Sequence, residues 1–381
     1  MSEDEFPDVS QLSDDELRAS RDELLAAAAR TPDDDPELPY MWGWAGEWSF
    51  HLHLRQGRED DLSRAADALP RAFSARTARA AWDEDGEVEG EGHGDGEEIW
   101  YAWRVLYGQV LLCQYDQEPA PALLQRAEEQ LTAGLAGLPD SSPFAAGNAP
   151  LARLLLARTS AARYRGAPQD DPGRADLLAA AVRRQRDALG DHAAGSEEAT
   201  ELYGSLGDLT FEQGDFGASV EHYRTALAGA APGADVPLLR YGLATSLLMG
   251  GRAAADRERL REARNEFVRA LAEARERQRQ QQGASEAGDP WWAWQARADI
   301  EAALHDVGAE LHLQGDDPKG LDPSFVEDTF ANASPMSRTN PEQIEEIRSW
   351  GRDRAVPAGR SLTTAAPGTA GPSRRVVFMG D

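Results

Sequence analysis

The chain holds one cysteine, Cys113, and one lysine, Lys319, among 381 residues. A lone thiol excludes an internal disulfide and any metal site built from several cysteines. Long apolar runs are missing too, and no stretch approaches the ~18 apolar residues that a membrane span needs. The first residues offer neither a basic region nor an apolar stretch of the kind an export signal uses, so the expected location is cytoplasmic. Positive charge is scarce: 67 acidic residues face 39 basic ones, for a formal net charge of −28. The preference for arginine over lysine, beside abundant Ala and Gly, reads as codon bias in a GC-rich genome. So acidic a surface repels phosphate backbones and anionic headgroups, which argues against nucleic acid and membrane surfaces as partners. It attracts basic peptides or proteins instead.

Signatures of chemistry are missing as well. There is no HExxH, no GxSxG and no glycine loop that would cradle a phosphate. His51 and His53 stand two apart, so on a helix they point about 200° away from each other and share no metal. His222, between Glu221 and Tyr223, is expected to face solvent. Residues 83–98 place Asp83, Asp85 and Glu87 at alternate positions, as an EF-hand loop does. However, Val88 stands where that loop needs glycine, and Gly94 where it needs a bidentate glutamate. A solvated acidic loop is the expectation, with no metal and no cofactor. Cys113 lies in an apolar helical stretch where a small buried thiol is ordinary. An enzyme with a concealed site is the least favoured class, and a non-catalytic protein is expected.

What the chain has is repetition. Residues 62–73, 124–135, 178–189, 216–227 and 260–271 align with one another. Each carries a small residue (Ala65, Ala127, Ala181, Ser219, Ala263), a second one seven later (Ala72, Gly134, Ala188, Ala226, Ala270), then a large apolar one (Phe73, Leu135, Leu189, Leu227, Leu271). Seven residues make about two helical turns, so the small side chains stack on one stripe and admit a neighbouring helix. A chain that repeats this pattern builds stacked helical hairpins, none of which buries its apolar face alone. The fold expected is all-α: an α-solenoid of about five degenerate hairpins over 10–315, with capping helices at both ends. Residues 1–9 are expected to be disordered, 316–355 to form short helices, and 356–381 to be a disordered tail.

Along the chain, Ser13 and Glu16 form a capping box for a helix over 10–30, and Leu12 staples onto Leu17. The aromatic stretch 40–54 pairs with 60–73. A second hairpin spans about 98–139, a third 150–190, broken at Gly166 and Pro168. Residues 140–149 read as a connection. Asp289-Pro290 starts a capping helix that runs to about 313. The tryptophan groups Trp42, Trp44, Trp48 and Trp291, Trp292, Trp294 read as core or capping side chains in preference to a ligand cage. The last nine residues, 373–381, are basic and apolar, and read as a frayed terminus or an interaction peptide.

The fourth unit resembles a tetratricopeptide repeat. It shows Tyr203, the Leu206-Gly207 pair, the turn Gly214-Asp215-Phe216, then Ser219, Tyr223, Ala226 and Pro232. The fifth follows with Tyr241-Gly242, Ala263, Phe267 and Ala270, and about nine extra residues around its turn. Successive signatures are 62, 54, 38 and 44 residues apart, against ~34 in the standard unit, so the array is degenerate. The Arg/Ala-rich second helices also resemble arrays that accompany CHAT-type caspase-like proteases in actinobacteria. That likeness implies a regulatory subunit of a separately encoded effector.

The tetratricopeptide resemblance implies that first helices line a concave groove. In the fourth unit the groove residues are then Glu201, Gly204, Asp208, Phe211 and Glu212. In the fifth they are Val236, Leu239, Leu243, Ser246 and Leu247, and in the second Ala102, Val105, Gln109, Leu112 and Cys113. Grooves that clamp a terminal carboxylate use Lys, Arg and Asn at such places, whereas acids and aliphatics stand here. The partner so implied is a protein segment with Arg or Lys beside apolar residues. Its principal contacts would be Glu201, Asp208, Phe211, Glu212, Leu239 and Leu243.

Overall fold

The structure, a computed structural model, describes residues 12–83, 97–139, 145–230, 234–282 and 307. Among the described residues there are eleven α-helices and no strand, an all-α fold of helical repeats. The chain divides into two compact units, Met1–His192 and Ala193–Asp381.

The first unit contains α1 (Asp14–Ala28), α2 (Leu38–Gln56), α3 (Glu59–Asp83), α4 (Glu97–Gln117), α5 (Pro121–Gly137), α6 (Ala145–Gly166) and α7 (Arg174–Leu189). Helix α1 starts where Ser13 and Glu16 cap each other reciprocally, and Leu12 and Leu17 join one cluster with Trp48 and Leu52. Helix α2 opens with Pro39 in its first turn and stops at Gly57, whose φ of 66° is a left-handed conformation that suits glycine. The pairs α2–α3, α4–α5 and α6–α7 pack as hairpins, and α1 covers α2. The expected notches are where the helices meet. Ala65, Ala72, Ala127, Ala181 and Ala188 are fully buried, and Gly134 is buried with them. A Cβ on Gly134 would stand 2.8 Å from Val105 of α4, closer than carbon atoms approach.

The second unit contains α8 (Glu197–Glu212), α9 (Phe216–Ala228), α10 (Val236–Ala254) and α11 (Arg257–Gln282). Ser196, Asp215 and Asp235 cap α8, α9 and α10 by accepting from Ala199, Ala218 and Leu238 backbone N–H groups. The turn between α8 and α9 uses Gly214 at φ 78°. Helix α10 packs against α8, α9 and α11, and Ser219, Ala226, Ala263 and Ala270 are buried at their contacts.

Three expectations are revised. Helix α6 begins at Ala145, inside the stretch read as a connection, and accommodates Pro150 within its second turn. Helix α3 runs to Asp83, well past the repeat signature. The extra residues of the fifth hairpin lengthen α10 instead of its turn, which falls at Ala255, φ 52°. Val307 is helical and fully buried against the α10–α11 cluster. The rest of the proposed capping helix, the tryptophans at 291–294, the body of the acidic stretch, the short helices after 316 and both termini lie outside the described residues.

Candidate functional site

On α8, Glu201, Asp208 and Glu212 follow at intervals of seven and four, so they share one stripe of the helix. Glu212 is exposed, while Glu201 and Asp208 are half-buried. Asp208 accepts a hydrogen bond from the Tyr223 hydroxyl of α9. Phe211, also half-buried, meets Phe216 edge to face at 5.4 Å. Leu239 of α10 is half-buried and rests against Gly204, where a Cβ would come within 2.9 Å of its side chain. Leu243 differs: it is 4 % exposed and belongs to the core with Ser246 and Leu247. Helices α8, α9 and α11 all pack on α10, which buries Leu243, while Leu239 near its start keeps part of its surface. In the second hairpin Val105, Leu112 and Cys113 are buried for the same reason, and only Ala102 and Gln109 are partly accessible.

Tyr223 organises this face. Its ring fills the notches left by Gly207 of α8 and Gly242 of α10, where any Cβ would collide with it. Beside it, the Ser219 and Ser246 hydroxyls stand 2.7 Å apart, Ser219 also 2.7 Å from the Gly207 carbonyl and Ser246 2.8 Å from the Gly242 carbonyl, so one hydroxyl donates to its carbonyl while accepting from the other. These buried hydroxyls join α8, α9 and α10 without leaving polar groups unsatisfied. His222 is half-buried and stacks near Tyr203 at 6.2 Å. The expectation of a solvent-facing His222 fails because its place on α9 turns toward α8.

A cleft of about 320 Å³ opens between α9 and α11 over α10. Phe216, Val220 and Leu247 form its apolar part, and Glu221, Arg224, Arg259 and Glu262 its rim. Arg224 bridges Glu221 and Glu262 at 2.8 and 2.7 Å, spanning the two helices. Nothing in the repeat pattern signals this cleft, since the pattern describes contacts within hairpins.

In the first unit, Cys113 is 8 % exposed, and burial, with help from Asp116, pushes its thiol up to about 11. A thiol so placed is protonated at neutral pH and is a poor nucleophile. His51 and His53 diverge: His51 Nε2 lies 3.9 Å from Glu47, and His53 Nδ1 lies 3.0 Å from the Arg58 carbonyl. Among the described residues no three metal-ligating side chains converge, and no helix is long and apolar enough to cross a membrane.

Two features had no sequence signal. Arg21 of α1 and Asp61 of α3 form an ion pair in which both side chains are 2 % exposed. Glu47 of α2 accepts the Trp103 indole N–H of α4 at 2.8 Å, within a cluster of Tyr40, Trp44 and Trp100. Trp48, Trp100 and Trp103 are buried, and Trp42 and Trp44 half-buried.

No family model matches the chain, and no curated protein matches it. Among solved structures it resembles one described as the hypoxic regulator of sterol synthesis Nro1, a nuclear import adaptor. The likeness covers 88 % of this chain and 99 % of that one, at 12 % identity and a TM-score of 0.40.

Proposed function

We propose that the chain is a non-catalytic, cytoplasmic scaffold whose tetratricopeptide-like hairpins hold a basic and apolar segment of a partner protein. The observation that carries this reading is the face of the second unit. Glu201, Asp208 and Glu212 run along one stripe of α8, with the half-buried Phe211 and Leu239 beside them. A segment with arginine or lysine next to leucine or an aromatic complements that face in charge and apolarity. Leu243 supports it from the core and makes no contact of its own. The residues behind the tetratricopeptide resemblance favour the same use: Leu206, Gly207, Ser219, Tyr223 and Ala226 are all buried between helices, as a stacked repeat requires.

Affinity capture from native cytosol, compared between wild type and Asp208→Lys/Glu212→Lys, tests the proposal. A partner held by wild type and lost by the charge-reversed protein is the expected result. A partner retained in full by both would remove α8 from its binding site.

A further inference from the structure

Three largely buried carboxylates carry arginine. Asp61 holds Arg21 and Arg64, Glu128 holds Arg163 and Arg184, and Glu266 holds Arg240 and Arg269. Glu47 departs from that rule. Its side chain is 21 % exposed; one oxygen accepts the Trp103 N–H, and the other lies 3.9 Å from His51 Nε2. Among the described residues no arginine reaches it. Desolvation raises the Glu47 pKa, and desolvation, then Arg55, lowers that of His51, so the imidazole beside it is neutral at pH 7. The indole thus fixes a desolvated carboxylate in place and leaves it without a counter-ion.

Around it stand aromatic walls. Tyr40, Trp44, Glu47 and His51 recur at intervals of four, three and four, a single stripe of α2. Trp44 meets Trp103 edge to face at 5.6 Å, and Tyr40 tilts against Trp100 at 5.1 Å. Tyr40 and Trp44 are half-buried, so each keeps some surface toward solvent. Neighbouring rings already carry guanidinium groups: Arg71 lies over Trp42 and Arg76 over Trp100, each at 4.8 Å.

We infer that Glu47, walled by Tyr40 and Trp44, receives an arginine side chain from a basic and apolar segment of a partner protein. A guanidinium offers paired N–H donors to the carboxylate and a flat face to the rings, which an ammonium does not. The inference takes its partner class from the proposed function, and its residues lie in the other unit.

The test follows the Trp103 indole N–H of the full chain by nitrogen-15 NMR during titration with a Leu-Arg-Leu peptide and its citrulline counterpart. The arginine peptide is expected to shift that resonance saturably, and the citrulline peptide to bind about tenfold more weakly or less. Glu47→Gln keeps an oxygen for the indole and should lose about the same factor for the arginine peptide alone. An unmoved Trp103 resonance, equal binding of both peptides, or unchanged affinity in Glu47→Gln would overturn the inference. Asp208→Lys/Glu212→Lys should keep the Trp103 response. A captured partner lost by that variant yet fully retained by Glu47→Gln would reject this site and spare the α8 face. The opposite pattern would reject the α8 face and spare this site.

Discussion

Cys113 and Glu47 are ionisable groups whose surroundings favour the neutral form, and each makes a measurable statement. The Cys113 thiol stands at about 11 against an ordinary 9.0, so its thiolate fraction at pH 8 is about a hundredfold below that of a free thiol. Alkylation by iodoacetamide is expected to be slow in the native protein and to accelerate sharply in urea. Equal rates in both states would contradict the buried placement in α4. For Glu47 the folded pKa lies above its ordinary 4.5 because of desolvation. Between the unfolded and folded values the native state binds more protons, so this group's contribution to stability falls as pH rises through that window. Glu47→Gln removes the effect. Its stability relative to wild type should climb above about pH 4.5 and then level off. Urea melts from pH 4 to 8 measure this, and a difference that stays flat with pH would show the carboxylate to be solvated.

Helices in this chain meet at notches, and the notches reverse the usual effect of glycine. In an open helix position Gly→Ala stabilises by up to about 1 kcal/mol. Gly147, in α6 with nothing within 4 Å of its missing Cβ, should follow that rule. Gly242 of α10 should not, because a Cβ there would enter the Tyr223 ring. Overpacking costs about 1–3 kcal/mol, so Gly242→Ala is expected to destabilise despite its better helix propensity. Thermal melts of both variants decide it, and a stabilised Gly242→Ala would mean that Tyr223 does not fill the notch.

These notches were legible in the sequence because the seven-residue interval of small residues has one helical meaning, and Ala65 to Ala270 all occupy buried contacts. The capping box at Ser13 was legible because its atoms lie within four residues. The Arg21–Asp61 pair was not, since it joins residues 40 apart, and on α1 alone Arg21 reads as one more solvated charge. The same holds for Glu47, whose partner Trp103 is 56 residues away. On α8 the repeat offsets place Glu201, Asp208 and Glu212 on one stripe, and the helix carries them so. On α10 the repeat offsets alone carried no sign that Leu243 lies under three helices instead of at a surface.

At the scale of the whole molecule the dominant quantity is a net charge of −28. A field of one sign draws a basic partner from a distance, and salt removes that attraction beyond a Debye length of about 10 Å at 0.1 M. The apolar contacts proposed for Phe211 and Leu239 would respond weakly to salt by comparison. Association with the proposed partner is therefore expected to slow severalfold between roughly 0.05 and 0.5 M salt, while dissociation changes much less. Charge reversal at Glu201, Asp208 and Glu212 should flatten the dependence of the on-rate. The separate substitution Leu239→Ala should leave that slope intact and raise the off-rate. Stopped-flow or surface-immobilised kinetics across the salt range separates the two effects. An on-rate indifferent to salt would mean that the acids serve solubility alone, and that the partner is chosen by apolar contact.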